Sequence, residues 1–252
     1  MGHYQVDRNK YKKSSFGYKG KNFNKKNEKY TKSEKLMNGI ATWCSFYRAN
    51  PQRFCKEYLN VQLKPFQAIL LYMMFHYTYF MYIAARSQGK TWLTAVFCIC
   101  RCILYPGTKI TVAAGSKSQA MKIITEKIPE LQQYSPMLER EIERVRTAMN
   151  TDDPNVMFYN GSWIKVVASN EKARSARSHI NVYDEFRLID LDILTKVLRR
   201  FLGTPRQPGY LRKPEYKHLQ ERNQEVYLSS AWLILFLVTW KLEVYHTQIY
   251  CR

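Results

Sequence analysis

Ala84-Ala85-Arg86-Ser87-Gln88-Gly89-Lys90-Thr91 is the stretch on which the fold turns. It stands between an apolar, β-prone run from Tyr79 to Ala85 and a helix-forming stretch from Lys90 to Leu104. Glycine, lysine and a hydroxyl in that order, at a strand-to-helix junction, are what a phosphate-binding loop requires. Gly89 permits close backbone approach to an anion, Lys90 reaches the β/γ oxygens, the Thr91 hydroxyl can ligate Mg²⁺, and the helix N-terminus offers unpaired N–H groups. Residues Ala85 to Thr91 would together cradle the phosphates. The pattern G-x-x-x-x-G-K-[ST] is incomplete, because Ala84 stands where its first glycine belongs. The reading therefore rests on context, a buried strand before the loop and an apolar helix after it.

Working outward, the Pro106-Gly107 turn and a strand from Lys109 to Ala114 complete a βαβ unit. A helix is predicted from about Ser118 to Tyr134, then a polar interval containing Asn150-Thr-Asp-Asp-Pro154. A hairpin follows, its Asn160-Gly161 turn set between Val156–Tyr159 and Trp163–Ala168. Further strands are predicted at His179–Tyr183 and around Glu225–Ser230. Strands alternating with helices predict an α/β fold with a mainly parallel central sheet and helices on both faces.

The second half of the site is His179-Ile-Asn-Val-Tyr-Asp-Glu-Phe186, a β-prone run ending in two acids, as a Walker B strand does. Asp184 can hold Mg²⁺, and Glu185, turned the other way by strand alternation, can polarise an attacking water. An ordinary strand ended by acids would read alike. The separation of about ninety residues from Lys90 leaves room for intervening βα units, so that the two strands can lie side by side. Gln67, in Leu63-Lys-Pro-Phe-Gln67, can read an adenine edge with its amide, or can be a plain helix glutamine. Arg86, inside the loop, can neutralise charge on the γ-phosphoryl, or can pair with a nearby acid. Ser229, Ser230 and Ala231 end a late strand with small hydroxyls that can sense the γ-phosphate, or form a simple strand-end turn.

Composition sets the bounds. With 252 residues, 46% of them hydrophobic and 24% charged, the chain can bury a full-size core, which excludes wholesale disorder, collagen-like and coiled-coil architectures. Forty Lys+Arg against twenty Asp+Glu give a net charge of +20, which attracts polyanions and makes nucleic acid the first partner to consider. The six cysteines do not form a disulfide framework; Cys98, Cys100 and Cys102 diverge on a helix and cannot share one ion, so reduced thiols in a cytosolic protein are expected. No signal peptide is expected, since the first forty residues lack an apolar core. Phe66–Ala85 has the length of a membrane span, but its Gln, His, Thr and Tyr residues divide it into a helix-like and a β-prone half. Residues 1–35 read as a flexible basic arm, 36–65 as a helical lead-in or lid, 66–232 as the ATPase domain, and 233–252 as an atypical tail.

Several of these signals, taken in order, resemble the ATPase part of a tailed-phage terminase large subunit, over about residues 36 to 232. They are Pro-Phe-Gln67, the deviant loop through Thr91, Ile110-Thr-Val-Ala-Ala-Gly-Ser-Lys-Ser-Gln119, Arg174-Ser-Ala-Arg177 ahead of Val-Tyr-Asp-Glu-Phe186, and Ser229-Ser-Ala231. The resemblance implies a P-loop NTPase fold of the additional-strand (ASCE) type and an ATP hydrolase with ATP and Mg²⁺ as its cofactors, coupling hydrolysis to translocation of double-stranded DNA into a procapsid. It makes Gln67 the adenine reader, Arg86 the loop arginine, Lys90 the phosphate lysine, Thr91 and Asp184 the magnesium ligands, Glu185 the catalytic carboxylate, and Ser229 to Ala231 the coupling motif. Arg174 and Arg177 would face DNA or a neighbouring subunit's phosphate. Partners so implied are double-stranded DNA, a portal, a small terminase subunit and further copies of the chain, in the host cytoplasm and transiently at the procapsid, with no membrane. The family's usual nuclease domain has no counterpart expected here: after Ala231 the chain carries a single acid, Glu243, too few for a two-metal centre. The tail reads as an improvised last strand or a shifted reading frame. Two other classes share parts of this text: a helicase-like nucleic-acid-dependent ATPase, and an inactive, truncated basic DNA-binding protein.

Overall fold

The computed structural model describes residues 31–85, 87–146, 154–169, 177–212 and 214–231. The basic arm up to residue 30, Arg86, Arg174 and the tail from residue 232 lie outside the described residues. The chain divides between Phe46 and Tyr47 into two units. Thr31 opens helix α1 (Lys32–Ala49): its hydroxyl accepts from the Glu34 amide (3.2 Å) while the Glu34 carboxylate accepts from the Thr31 amide (2.6 Å). This reciprocal cap starts the helix within the stretch expected to be a flexible arm.

In the second unit, α2 (Pro51–Glu57) and α3 (Pro65–His76) each place a proline in the first turn, where its missing N–H costs nothing. The apolar run after Phe66 divides as expected, α3 giving way to β1 (Tyr79–Ala84). Among the described residues no helix is long and apolar enough to cross a membrane. Helix α4 (Lys90–Leu104) is buried at every position but Thr91 and Trp92, so it runs through the interior, with Lys90 and Arg101 as buried cations near its two ends. The hairpin turn closes its far end: the Asn160 amide and the Ser162 hydroxyl each donate to the Cys102 carbonyl at 2.8 Å, and Gly161 takes the left-handed φ of +80° that the turn demands. Cys98, Cys100 and Cys102 are fully buried, with the Cys55 Sγ 3.5 Å from that of Cys100. Burial pushes these three α4 thiols up, which keeps them protonated and inert. No cluster able to hold a metal through His, Cys, Asp or Glu occurs among the described residues.

Among the described residues one sheet contains β1, β2 (Lys109–Ala114), β3 (Ile142–Arg146), β4 (Asn155–Phe158), β5 (Trp163–Ala168), β6 (Ile180–Asp184) and β7 (Gln224–Ser230). Their order is β1-β7-β6-β2-β5-β4-β3. Pairings from β1 through β5 are parallel, and those of β5 with β4 and of β4 with β3 are antiparallel. The result is a mixed α/β sheet with a parallel centre and an antiparallel edge. Phosphate-loop strand and acid strand do not touch, contrary to the side-by-side expectation: β7, far later in sequence, is inserted between them. The predicted helix after β2 is α5 (Lys117–Lys122), a π-turn at Ile123–Lys127 and α6 (Ile128–Tyr134). Pro129 has no N–H for the preceding turn, and the wider π spacing lies just before it. Helix α7 (Pro136–Glu141), capped by the Ser135 hydroxyl, and strand β3 occupy the interval read as polar. Only Ile142 and Val145 turn inward there, too few for an alternating pattern to show.

Two parallel rows of side chains hold the sheet in its layers. Met81, Tyr227, Tyr183, Ala113 and Val167 lie in register across one face. The chain after β6 covers this face with Phe186, Leu194 of α8 (Leu191–Lys196), Leu198 and Phe201. Phe80, Val226, Val182 and Val112 form the matching row on the other face, and α4 packs against β2 and β5. Each such side chain fully removed from water contributes roughly 1.5–3 kcal/mol. Packing from both sides fixes where the strands end, and the site is built at those ends.

Candidate active site

The C-terminal ends of the parallel strands point to one edge of the sheet, where α/β proteins commonly bind ligands. The chain leaves β1 through a loop in which Ser87 (φ +64°) and Gly89 (φ +69°) are left-handed. A side chain at the second position would be strained by that φ, which is why glycine stands there. Gly89 supplies no side-chain cap to α4, so the first N–H groups of the helix stay open toward the loop. Lys90 is 8% exposed, and its ammonium donates to the carbonyls of Ala84 (3.1 Å) and Ala85 (2.9 Å). It is thus a buried cation resting on neutral carbonyls within its own loop.

The acids arrive from β6, buried along its whole length. Asp184 is 4% exposed, and its Oδ1 accepts from the Glu185 amide at 3.0 Å. Burial, with the charge of Glu185 beside it, pushes its carboxyl up to about 6 against the pull of that amide and of Lys90. Glu185 does not continue the strand. It adopts a left-handed conformation (φ +46°), so its direction comes from a turn and not, as expected, from strand alternation. Its Oε2 accepts from the Ser230 amide (2.9 Å), Arg187 Nε (3.2 Å) and the Ser229 hydroxyl (3.4 Å), and its Oε1 from the Ser230 hydroxyl. Burial alone would raise this carboxyl, but the Ser230 and Arg187 contacts outweigh it and hold it below the ordinary glutamate value. The Ala231 amide donates to Ala84 O (2.9 Å), the same carbonyl that Lys90 uses.

A pocket of about 430 Å³ opens here, lined by Gly89, Lys90, Thr91, Glu185 and Ser230 together with Ser87, while Asp184 stays buried off its wall. The pocket thus gathers residues of the β1–α4 loop with Glu185 and Ser230, which are distant in sequence. Gln67 is buried at the start of α3; its Oε1 accepts from the Lys64 amide (2.9 Å), and its Nε2 faces the Gly89 backbone. Half of its amide thus serves the helix cap. Arg177 lies just before β6, at the opposite end of the strand from Asp184. Arg187 and Gln119 also line the pocket, and neither had been assigned a role by the sequence reading. For Arg187 the available signal was a cation two residues after an acid pair, whose place beside Glu185 depends on the left-handed turn. The donor set suits Mg²⁺: a threonine hydroxyl on the pocket wall and a buried carboxylate are hard oxygen ligands, and a divalent cation would relieve the desolvation that raises Asp184.

No family model matches the chain, and no curated protein does. Several solved structures are similar to it. The large terminase ATPase domain of Thermus phage P74-26 is 13% identical, with a TM-score of 0.47 over 77% of this chain and 90% of that one. The large terminase of bacteriophage HK97 is 15% identical, with a TM-score of 0.48 over 74% of this chain and 37% of that one. The large terminase of another thermophilic bacteriophage, in complex with ATP-gamma-S, is 10% identical with a TM-score of 0.46, and the match covers 67% of this chain and 38% of that one. The chain thus spans well under half the length of the last two.

Proposed function

We propose that this chain is the ATPase motor part of a viral DNA-packaging terminase, binding Mg·ATP at the loop Ala85–Thr91 and coupling its hydrolysis to movement along double-stranded DNA. One observation carries the chemistry: Lys90 and Glu185, about ninety residues apart, line one pocket at the N-terminus of α4, with the hydroxyls of β7 on Glu185 and with Asp184 close enough for Lys90 to pull on its carboxyl. Insertion of β7 between β1 and β6 supports the additional-strand class of P-loop ATPase. The charge of +20 suits a partner held by its phosphates without regard to sequence.

In this reading Lys90 exchanges two carbonyls for phosphate oxygens, a charge-assisted contact that is stronger than the neutral one it gives up. The Thr91 hydroxyl and the Asp184 carboxylate hold magnesium, which when bound polarises the phosphoryl oxygens. Glu185 orients the attacking water and Arg86 offsets charge on the γ-phosphoryl, leaving Gln67 Nε2 to face the base. Ser230 clasps Glu185 while Ala231 hooks Ala84, so movement of either the loop or the carboxylate is felt by β7. That strand is the coupling element. A portal, a small terminase subunit and further copies of the chain are the partners this role requires.

The test is Mg²⁺-dependent ATP hydrolysis with and without duplex DNA, for the chain and for Lys90→Ala and Glu185→Ala. Turnover that duplex stimulates and both substitutions abolish is the expected result. Turnover indifferent to both substitutions would overturn the assignment of the site, and duplex strand separation during turnover would replace translocase by helicase.

A further inference from the structure

The other end of the sheet, where β6 and β2 begin, holds a second pocket of about 420 Å³. Its wall carries Lys109, Arg177, His179 and Arg206. Lys109 and Arg177 are exposed, and among the described residues neither forms an ion pair. Arg206 is 4% exposed and immobilised: Glu221 pairs with it, Pro106 O and the Tyr210 hydroxyl lie 3.0 Å from its guanidinium, and it stacks on Tyr105. Arg101 stands behind, 3.9 Å from the centre of the same ring and 3.5 Å from Glu221. Lys109, Arg177, Arg206 and Arg101 thus gather here around one carboxylate, Glu221. Like charges held this close repel one another unless an anion joins them.

His179 reports that potential. Its Nδ1 accepts from the Lys109 amide at 3.1 Å, which leaves the proton of the neutral ring on Nε2 as a donor. Burial first, then Lys109, Arg206 and Arg101 against the opposing pull of Glu221, lower its pKa to about 4. A neutral donor, two exposed cations and one fixed guanidinium are the components of a site for a tetrahedral oxyanion.

We propose that this pocket is a phosphate-binding site, in which Lys109 and Arg177 bind the oxyanion in front of the fixed Arg206 and His179 donates from Nε2. It is separate from the nucleotide pocket, being at the opposite ends of the same strands, and does not depend on that pocket's reading. The phosphate can come from a nucleic-acid backbone or from a small phosphate ion. The chemistry is shared, and the sources differ in what else is attached.

The experiment follows the His179 ring resonance of the full chain by NMR across a pH titration, identified as the histidine signal missing from His179→Gln. It is run alone, with inorganic phosphate, and with a short DNA duplex. A bound anion offsets the field of Lys109 and Arg206, so a saturable upward shift of about one pH unit is expected. It should vanish in Lys109→Ala/Arg177→Ala and persist in Lys109→Arg/Arg177→Lys, which keep the charge. Both substituted residues are exposed, and the unchanged resonances of the core check that the fold survives. A shift with duplex alone assigns the site to a nucleic-acid backbone, and a shift with inorganic phosphate alone assigns it to the small ion. No shift with either ligand, or one that survives in the double alanine variant, overturns the proposal.

Discussion

The two ends of the parallel sheet are built by opposite rules. At the C-terminal end, Lys90 and Arg187 stand with two carboxylates, and among the described residues these groups are engaged by their neighbours: Lys90 by carbonyls, Asp184 by an amide, Glu185 by Ser230 and Arg187. At the N-terminal end, Lys109, Arg177, Arg206 and Arg101 gather around one carboxylate, Glu221, and the first two stay exposed. Balanced charge on a rigid frame suits chemistry, where groups must exchange partners in a set order. Unbalanced charge suits capture. Both ends share β6, so a change to that strand reaches both, whereas a change at either tip should stay local.

The largest expected effect is at the C-terminal end of the sheet. Glu185→Gln should lower ATP turnover by about 10²-fold or more while nucleotide binding persists, and Lys90→Ala should lose binding as well, both measured by phosphate release and fluorescent-nucleotide titration. Neither should move the His179 titration; coupling between the ends would break the comparison. Next is the shared strand. Buried Asn181 donates to the Tyr183 hydroxyl (2.9 Å) and Leu198 O (2.8 Å) and accepts from Ser178, so Asn181→Ala should cost about 2–3 kcal/mol in denaturant unfolding and weaken both pockets together.

A smaller, directional effect is expected at the clasp. Ser230→Ala removes the hydroxyl that holds Glu185 and keeps the backbone contact, so DNA-independent turnover should rise by roughly tenfold, the low end of the worth of one hydrogen bond to a charged group, with less stimulation left for duplex to supply. An unchanged ratio of stimulated to basal turnover would show that the clasp does not gate the carboxylate. The smallest effect is a pH slope. The pKa of His179 is about 4 in the fold against 6.5 unfolded, so the unfolded chain binds the extra proton between these values. Stability should fall as pH drops from 6.5 towards 4, by on the order of 1 kcal/mol after solvent screening, and His179→Gln should flatten that part of the curve in urea titrations.

Much of this arrangement is legible in the sequence because it is local. The Gly-Lys-Thr junction, the helix Lys90–Leu104 and the hairpin at Asn160-Gly161 are each written in consecutive residues whose propensities agree. Strand β3 is not legible there, since its two inward residues make no periodic signal, and its pairing with β4 decides its conformation. Sheet order is not legible either. Nothing near Ser229 states that its strand will slip between β1 and β6; that outcome depends on aligning Met81, Tyr227 and Tyr183 in one row beneath Phe186.

By itself the sequence determined the chemical inventory: a Gly-Lys-Thr loop, an acid pair, a hydroxyl-ended strand and a large excess of positive charge. Tertiary structure alone decided which of these meet. It set Glu185 against Ser230, joined Ala231 to the carbonyl that anchors Lys90, and sent Arg177 to the far end of β6. The physical reason is range. Turns and helix starts follow from torsional and hydrogen-bonding preferences of adjacent residues, while strand order and the meeting of distant charges follow from burying two faces of a sheet at once.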